Sequence, residues 1–404
     1  MKVHEKPAAH LTYCLNVHPG ERWEDNYKAL NDMTLKIRDR VAPEKKFGIG
    51  LRLSRLAAYS LASSETLNQL EEFLRNNHLY VFSINGFPYG DFHETVVKEN
   101  VYYPDWRTRK RRDYTIQLSD ILSKLIPPYT SGSISTVPGS YKNWIQTESD
   151  HAEMIYHMMD CVAHLASIRQ RTGKDLHMGL EPEPDCFLET TRETVSFFTG
   201  ELLDLGRPYL AQLKGCRKSQ AEEMIFRHLG VCFDTCHMSL QFENLAESIS
   251  ILKANGIRLS KIQISAALKT TCAERNLIRL KDFSESVYLH QVKTSGGKDG
   301  SVSYGDLSRA LENIDLKTQT GEDVRVHFHV PLYYTGDDCL ESTAADLTPD
   351  FFSQALDSGA EHFEIETYSF NVLPEDLKKK GLVESVVDEY VWVINRFPKE
   401  KLCI

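Results

Sequence analysis

Paired cysteines are missing from this 404-residue chain. Its nine cysteines are scattered, with no CxxC unit, and no second close pair completes the Cys232/Cys236 spacing. That excludes a structural zinc site of the finger or ribbon type and leaves reduced thiols in a reducing compartment as the expectation. Basic charge is short as well: Lys and Arg number 47 against 57 Asp and Glu, a formal net charge of −10. A phosphate-backbone binder needs a basic face, so nucleic acid is not expected as a partner. No apolar run approaches the roughly 18 residues of a membrane span. The first ten residues carry Lys2, His4, Glu5 and Lys6 rather than the apolar core of a secretory signal. The expectation is a cytoplasmic protein with no membrane insertion. No Pro/Gly/Ser-rich linker or shared repeat divides the chain, so a single domain over residues 1–404 is expected. The run Gly296-Gly297-Lys298 does not fit the phosphate-cradling pattern GxxxxGK[ST] and reads as a turn.

Short apolar runs alternating with amphipathic stretches fill the chain. Eight runs read as strands: 11–17, 47–53, 79–87, 131–137, 176–182, 229–237, 260–266 and 362–368. Most are near-continuously apolar, as parallel strands covered by helices are. Alternating βα units imply a parallel sheet, and eight of them predict an α/β fold closed into a (β/α)₈ TIM barrel, with a doubly wound open sheet as the alternative. One stretch breaks the rhythm. Roughly residues 270–335 read as an insertion before the last strand, containing a hairpin over 288–304 and a strand over 324–332; the other option is that one of these strands belongs to the barrel. The basic run 107–112 at a helix start reads as a solvated face.

Several strands end in polar residues that apolar burial does not explain. Residues 179–184 read GLEPEP, 232–237 read CFDTCH, 261–265 read KIQIS and 363–368 read FEIETY. The C-terminal ends of barrel strands converge on one mouth, so Glu181, Asp234, Gln263 and Glu366 should face one another there. Three carboxylates that close repel unless a cation neutralises them. The all-oxygen donor set favours Mn²⁺ or Mg²⁺, with Zn²⁺ or Co²⁺ admissible. Parity does not choose between Glu181 and Glu183, or between Glu364 and Glu366. Glu181 is taken because Pro182 should end its strand, and Glu366 because it lies nearer its strand's C-terminal end.

Together LEPEP, DTCH, IQIS and EIETY resemble the sugar phosphate isomerase/epimerase superfamily, the xylose isomerase-like barrels. Longer motifs are similar to the metabolite traffic protein EboE family: LTYCLNVHPGE at 11–21, FGIGLRLS at 47–54, YVFSINGFPYGDFH at 80–93, VKENVYYPDW at 97–106, GSISTVPGSYK at 132–142 and VHFHVPLYY at 326–334. The resemblance covers nearly the whole chain. It implies a mononuclear metal on Glu181, Asp234, Gln263 and Glu366, with Gln263 where many epimerases carry His, as in the hydroxypyruvate isomerase pattern. It implies His237 as a contact to a substrate oxygen.

The reaction so implied is aldose–ketose isomerisation or epimerisation of a small polyhydroxy carbonyl compound, with Glu181 and Glu366 as base and acid. His18, Asn85, His93, Arg52, Glu189 and His329 are further candidates to line the mouth. His327 shares parity with His329, so a second metal using His329 stays open. Two other readings stand beside the enzyme: a non-catalytic metabolite-binding or metabolite-traffic protein on the same barrel, and a metal-dependent phosphodiesterase of the apurinic endonuclease type, which the charge opposes. A small-molecule substrate is the expected partner; homo-oligomerisation is left open.

Overall fold

Alternation of side chains along short apolar strands builds the centre of the molecule. The computed structural model describes residues 1–90, 92–93, 96–296, 300–399 and 402. In chain order the strands are β1 (Lys2–His4), β2 (Ala9–Tyr13), β3 (Phe47–Arg52), β4 (Leu79–Asn85), β5 (Gly132–Thr136), β6 (Leu176–Leu180), β7 (Leu229–Asp234) and β8 (Leu259–Ile264). After these come β9 (Ala267–Thr271), β10 (Val292–Ser295), β11 (Ser301–Tyr304), β12 (Asp323–His329), β13 (Glu341–Ser342) and β14 (His362–Ile365). One sheet runs β1-β2-β14-β8-β7-β6-β5-β4-β3, and every pairing in it except β1 with β2 is parallel.

The two ends of this sheet meet. Cys14 bridges Gly50 in parallel fashion. The Thr12 hydroxyl accepts from the Gly50 N–H at 2.9 Å and donates to the Gly48 carbonyl at 3.0 Å. Gly50 is required here, because a Cβ on it would stand 1.9 Å from Glu364 Oε2. The result is a ring of eight parallel strands with helices outside, an α/β barrel. Each of the eight predicted runs overlaps one barrel strand, although β2 and β8 begin ahead of their runs, at Ala9 and Leu259.

Period-two alternation stacks the interior in layers. Strand β14 and the residue after it contribute His362, Glu364 and Glu366 in turn; β6 and the residue after it contribute His177, Gly179 and Glu181; β8 contributes Lys261 and Gln263. At the floor the rings of His177 and His362 stack with centroids 5.5 Å apart. In the middle, Lys261 Nζ lies 2.9 Å from Glu364 Oε1, and neither side chain has any exposed surface. The top layer is the mouth.

The remaining strands form a second, antiparallel sheet in the order β11-β10-β12-β9-β13. It is inserted between β8 and β14, so none of its strands belongs to the barrel. Its hairpin pairs Val292–Ser295 with Ser301–Tyr304, shorter than expected; the turn reading at Gly297 and Lys298 lies outside the described residues.

Three local expectations need correction. The first strand stops at Tyr13 and Leu15–Val17 forms a turn of 3₁₀ helix, so His18 does not end a strand. The run 229–237 stops being a strand at Asp234. That carboxylate accepts from the N–H groups of Cys236 and His237, at 2.7 and 3.1 Å, and so caps the helix Thr235–Leu240. The basic run 107–112 is not wholly a solvated face: Arg111 is buried and donates to the carbonyls of Pro104, Gly86 and Phe87. Among the described residues no helix is long and apolar enough to cross a membrane.

Candidate metal and ligand site at the barrel mouth

Three carboxylates from three strand ends converge. Glu181, Asp234 and Glu366 are all buried, and one oxygen from each lies within 4.8 Å of the others. Asp234 and Glu366 are each held through one oxygen. Asp234 Oδ1 takes the two helix N–H groups and the Ser265 hydroxyl at 2.6 Å. Glu366 Oε1 takes the side-chain amides of Asn16 and Asn85 at 2.8 and 3.1 Å. Among the described residues no amide, ring N–H or alcohol donor reaches Glu181 Oε2 or Asp234 Oδ2. Glu183 and Glu364, the other members of their pairs, sit elsewhere. Glu183 accepts from the Tyr102 hydroxyl at 2.9 Å, and Glu364 is paired with Lys261 one layer down.

Electrostatics follows from this crowding. Burial, and then the charge of Asp234, raise the Glu181 carboxyl well above its usual value. Burial, and then Glu181 and Asp234, do the same to Glu366. Asp234 is desolvated too, but His237 and His329 oppose this and hold it below the usual carboxylate value. Three ionised carboxylates cannot coexist this close without a counter-charge. A divalent cation is one, and the donor set fits it: outward oxygens on Glu181 and Asp234, and a buried carboxylate on Glu366 oriented by two amides.

Gln263 adjoins this group. Its Oε1 takes the Cys232 thiol at 2.9 Å, and its Nε2 has no hydrogen-bond partner among the described residues. The two ends of an amide differ only by a half-turn, and the other orientation turns the oxygen toward the free side.

A second cluster lies beside the first. His237 from the short helix and His327 and His329 from β12 pack edge to face or tilted, with ring centroids 4.7 to 5.7 Å apart. Burial keeps the imidazoles of His327 and His329 from protonating, the latter down to about 4. Burial lifts nearby Glu183 to about 7, against the opposing influence of His237 and Tyr102.

Above these groups is a narrow cavity of about 50 Å³. Its polar side includes Asn16, Asn85, Glu181, Glu183, His237 and Glu366, and its apolar side includes Phe87, Phe92, Tyr288 and Tyr368. Lys98, the cation among its described lining residues, already donates to Asp306 at 2.7 Å and to the Tyr288 carbonyl at 2.6 Å.

The other predicted residues are placed as follows. Arg52 is buried, paired with Glu21 at 2.8 Å, and donates to the carbonyls of Gly20 and Gly90. His18 meets the Tyr13 hydroxyl at 2.9 Å. His93 joins the Asn16 carbonyl at 2.6 Å to the Tyr288 hydroxyl at 2.7 Å, so it braces two residues of the cavity wall. Glu189 is held by Lys142, and by Lys293 at 3.1 Å. It ties the inserted sheet to the barrel.

Sequence reasoning missed Asn16, Tyr102 and the ring of Tyr288 and Tyr368. Asn16 had a usable signal, a polar residue just past the first strand. Asn16→Ala is expected to weaken Mn²⁺ binding by about 10- to 100-fold, the usual effect of removing a residue that orients a ligand. Isothermal titration checks this, with unchanged circular dichroism as the control.

No protein-family model matches the chain, and no curated protein matches it. Among solved structures it is similar to a probable 3-DHS dehydratase, AsbF, involved in petrobactin synthesis in Bacillus anthracis, at 13% identity over 96% of this chain and 99% of that one, with a TM-score of 0.46. It is similar to the IolI protein solved with a bound zinc atom, at 10% identity over 96% and 99%, TM-score 0.46. An L-ribulose 3-epimerase matches at 10% identity over 96% and 93%, TM-score 0.47. The strand order of the chain itself defines its class: a (β/α)₈ barrel. The site adds a buried, cation-compatible carboxylate cluster at the C-terminal mouth.

Proposed function

We propose that this chain is a metal-dependent isomerase or epimerase that moves a proton at the carbon beside a carbonyl, in a small unphosphorylated polyhydroxy compound. The observation that carries the reading is the meeting of Glu181, Asp234 and Glu366 within 4.8 Å, with both glutamates lining the cavity. Glu181, Asp234 and Glu366, with Gln263 beside them, would hold the cation, which supplies Lewis-acid polarisation of a carbonyl oxygen when bound. Glu181 follows β6 and Glu366 follows β14, strands separated by β7 and β8 in the ring, so the two carboxyls can address a substrate from different sides. One takes the proton from carbon and the other returns it. Asn16 and Asn85 fix the Glu366 oxygen they bind and leave the other for that task. His237, on the cavity wall, is positioned to meet a substrate oxygen. The aromatic side excludes water and matches the C–H face of a polyol.

The absence of a phosphate from the substrate is argued from Lys98 and Arg52. Both are already paired, so neither has a free charge to offer a phosphate. The same pairing, with the net charge of −10, argues against a phosphodiester substrate.

A second reading, a metabolite carrier of the EboE kind, draws on the placement of the motifs that resemble that family. Asn16, Phe87 and His327 lie within them and line the cavity. Incubation of metal-loaded protein with small ketoses and hydroxyketones in D₂O separates the two. The enzyme reading expects deuterium to enter the carbon beside the carbonyl. Tight binding of such a compound with no exchange would replace it with the carrier.

A further inference from the structure

We propose that the face of the barrel opposite the mouth binds a small phosphate-bearing molecule through the guanidiniums of Arg169, Arg227 and Arg258. The site lies where β6, β7 and β8 begin. Asp175 immediately precedes β6 and Arg258 immediately precedes β8. Arg227 is in the last turn of the helix Lys218–His228, which leads into β7, and Arg169 is in the last turn of the helix Glu148–Thr172. Strand β6 separates this site from Glu181; its five residues span roughly 17 Å.

Three guanidiniums gather there around one carboxylate. Arg258 Nη1 donates to Asp175 Oδ2 and to the Arg227 carbonyl, both at 2.9 Å. Arg169 Nε and Arg227 Nη1 stand 3.6 and 3.8 Å from the other oxygen, Oδ1. Both distances exceed hydrogen-bond reach, and Oδ1 is buried with no hydrogen-bond partner among the described residues. Neither Arg169 nor Arg227 makes a side-chain hydrogen bond among the described residues. Asp175 carries one charge, so two of the three guanidiniums keep theirs.

The surroundings do not supply the missing anions. The group opens on a cleft of about 1060 Å³, whose other described charged residues are Lys214 and Glu223. Lys214 donates to the Ser167 hydroxyl at 2.9 Å, a neutral partner, so Glu223 offsets at most the lysine. This excess of positive charge sits on a chain with a net charge of −10. Helix ends draw cations to their last turns, which accounts for Arg169, Lys214 and Arg227 one at a time. It does not account for Arg258, which belongs to no helix, or for guanidiniums that crowd together and repel. Arg169 and Arg227 face one point, the same Asp175 oxygen. A phosphate monoester brings two charges and several oxygens to one centre, whereas a carboxylate brings a single charge. The half-buried Met224 and Phe226 line the same cleft and offer an apolar surface to the carbon part of such a molecule. The mouth lies at the other end of the strands, so the molecule is bound here without being transformed. This site does not depend on the isomerase reading.

The test is calorimetric titration of the full chain with inorganic pyrophosphate, with chelator present so that no cation at the mouth recruits the probe. Saturable binding of one equivalent is expected, with an affinity that falls as salt rises. Arg169→Gln and Arg227→Gln should each weaken it by about 10-fold, the loss of a charged hydrogen-bonding group. Neither arginine donates a hydrogen bond in the free protein, so both variants should melt where the parent does without the probe. They should lose most of the upward shift in melting temperature that pyrophosphate gives the parent. Glu181→Gln should bind pyrophosphate as the parent does. Absence of saturable binding by the parent overturns the proposal. So does binding that is unchanged in both arginine variants, or binding lost in Glu181→Gln, which puts the probe at the mouth. Tighter binding of malonate than of pyrophosphate overturns the phosphate assignment. Adsorption to phosphatidylserine vesicles without binding of pyrophosphate overturns it in favour of a membrane surface.

Discussion

Exchanging Glu366 for Gln is expected to stabilise the metal-free protein while weakening its hold on a cation. Burial, and then the charges of Glu181 and Asp234, raise the Glu366 pKa well above the ordinary glutamate value of 4.5. In the unfolded chain the same group ionises near 4.5. A carboxyl raised in the fold contributes fully below the unfolded pKa, and that contribution is lost as pH climbs through the folded value, because the unfolded state then releases the proton more readily. Gln does not titrate, so the variant escapes this loss. Its gain over the unaltered protein should be small at pH 5 and larger at pH 7.5. In Mn²⁺ the order should reverse, because Gln offers no charge to the ion. Proton exchange into a ketose should fall by about 10²- to 10⁴-fold in Glu366→Gln and in Glu181→Gln, the usual contribution of a general acid or base. Urea midpoints at the two pH values, with chelator and with Mn²⁺, check the stability part. A metal-free Glu366→Gln protein less stable than its parent at pH 7.5 would remove the electrostatic argument for a cation site.

The other large effect lies one layer deeper. Lys261 and Glu364 have no exposed surface and lie 2.9 Å apart; despite burial, Glu364 raises the lysine pKa and keeps its ammonium charged. Among the described residues Glu364 Oε2 meets no donor. Lys261→Met should cost about 3–5 kcal/mol, because it strands a charge in the barrel core. The double variant Lys261→Met, Glu364→Leu removes both charges and should recover most of that loss, since apolar replacement of a buried pair is often neutral or better. Equal denaturation midpoints for the single and double variants would mean that the pair is not the reason for the cost. Lys261 also opposes the raised pKa of Glu181, so the single variant should in addition raise the pH at which cation binding begins.

The sequence went far toward the carboxylate cluster. Asp234 and Glu366 terminate or directly follow apolar strands, and in a barrel such positions share one rim. Pro182 pointed to Glu181 over Glu183 for a local reason, the end of a strand, and the structure groups Glu181 with Asp234 and Glu366. Much less of the surroundings was legible. Glu189 and Arg52 looked like free polar groups beside a mouth. Their partners, Lys293 and Glu21, come from other parts of the chain. Arg111 sits in a run of charged residues, yet three backbone carbonyls draw it inside.

What the residues by themselves determined is therefore where the barrel strands fall along the chain and which of their side chains share a face. Hydrophobic periodicity and two-residue alternation are properties of a short stretch of chain, and they survive without knowledge of the rest. Only the tertiary structure decided which polar groups are already satisfied and which are left bare. It brought β12 across the mouth so that His327 stands against His237, ninety residues earlier. It also turned Asn16, from a 3₁₀ turn, onto Glu366. Pairing of this kind is settled by packing between distant elements, for which no local pattern carries a signal.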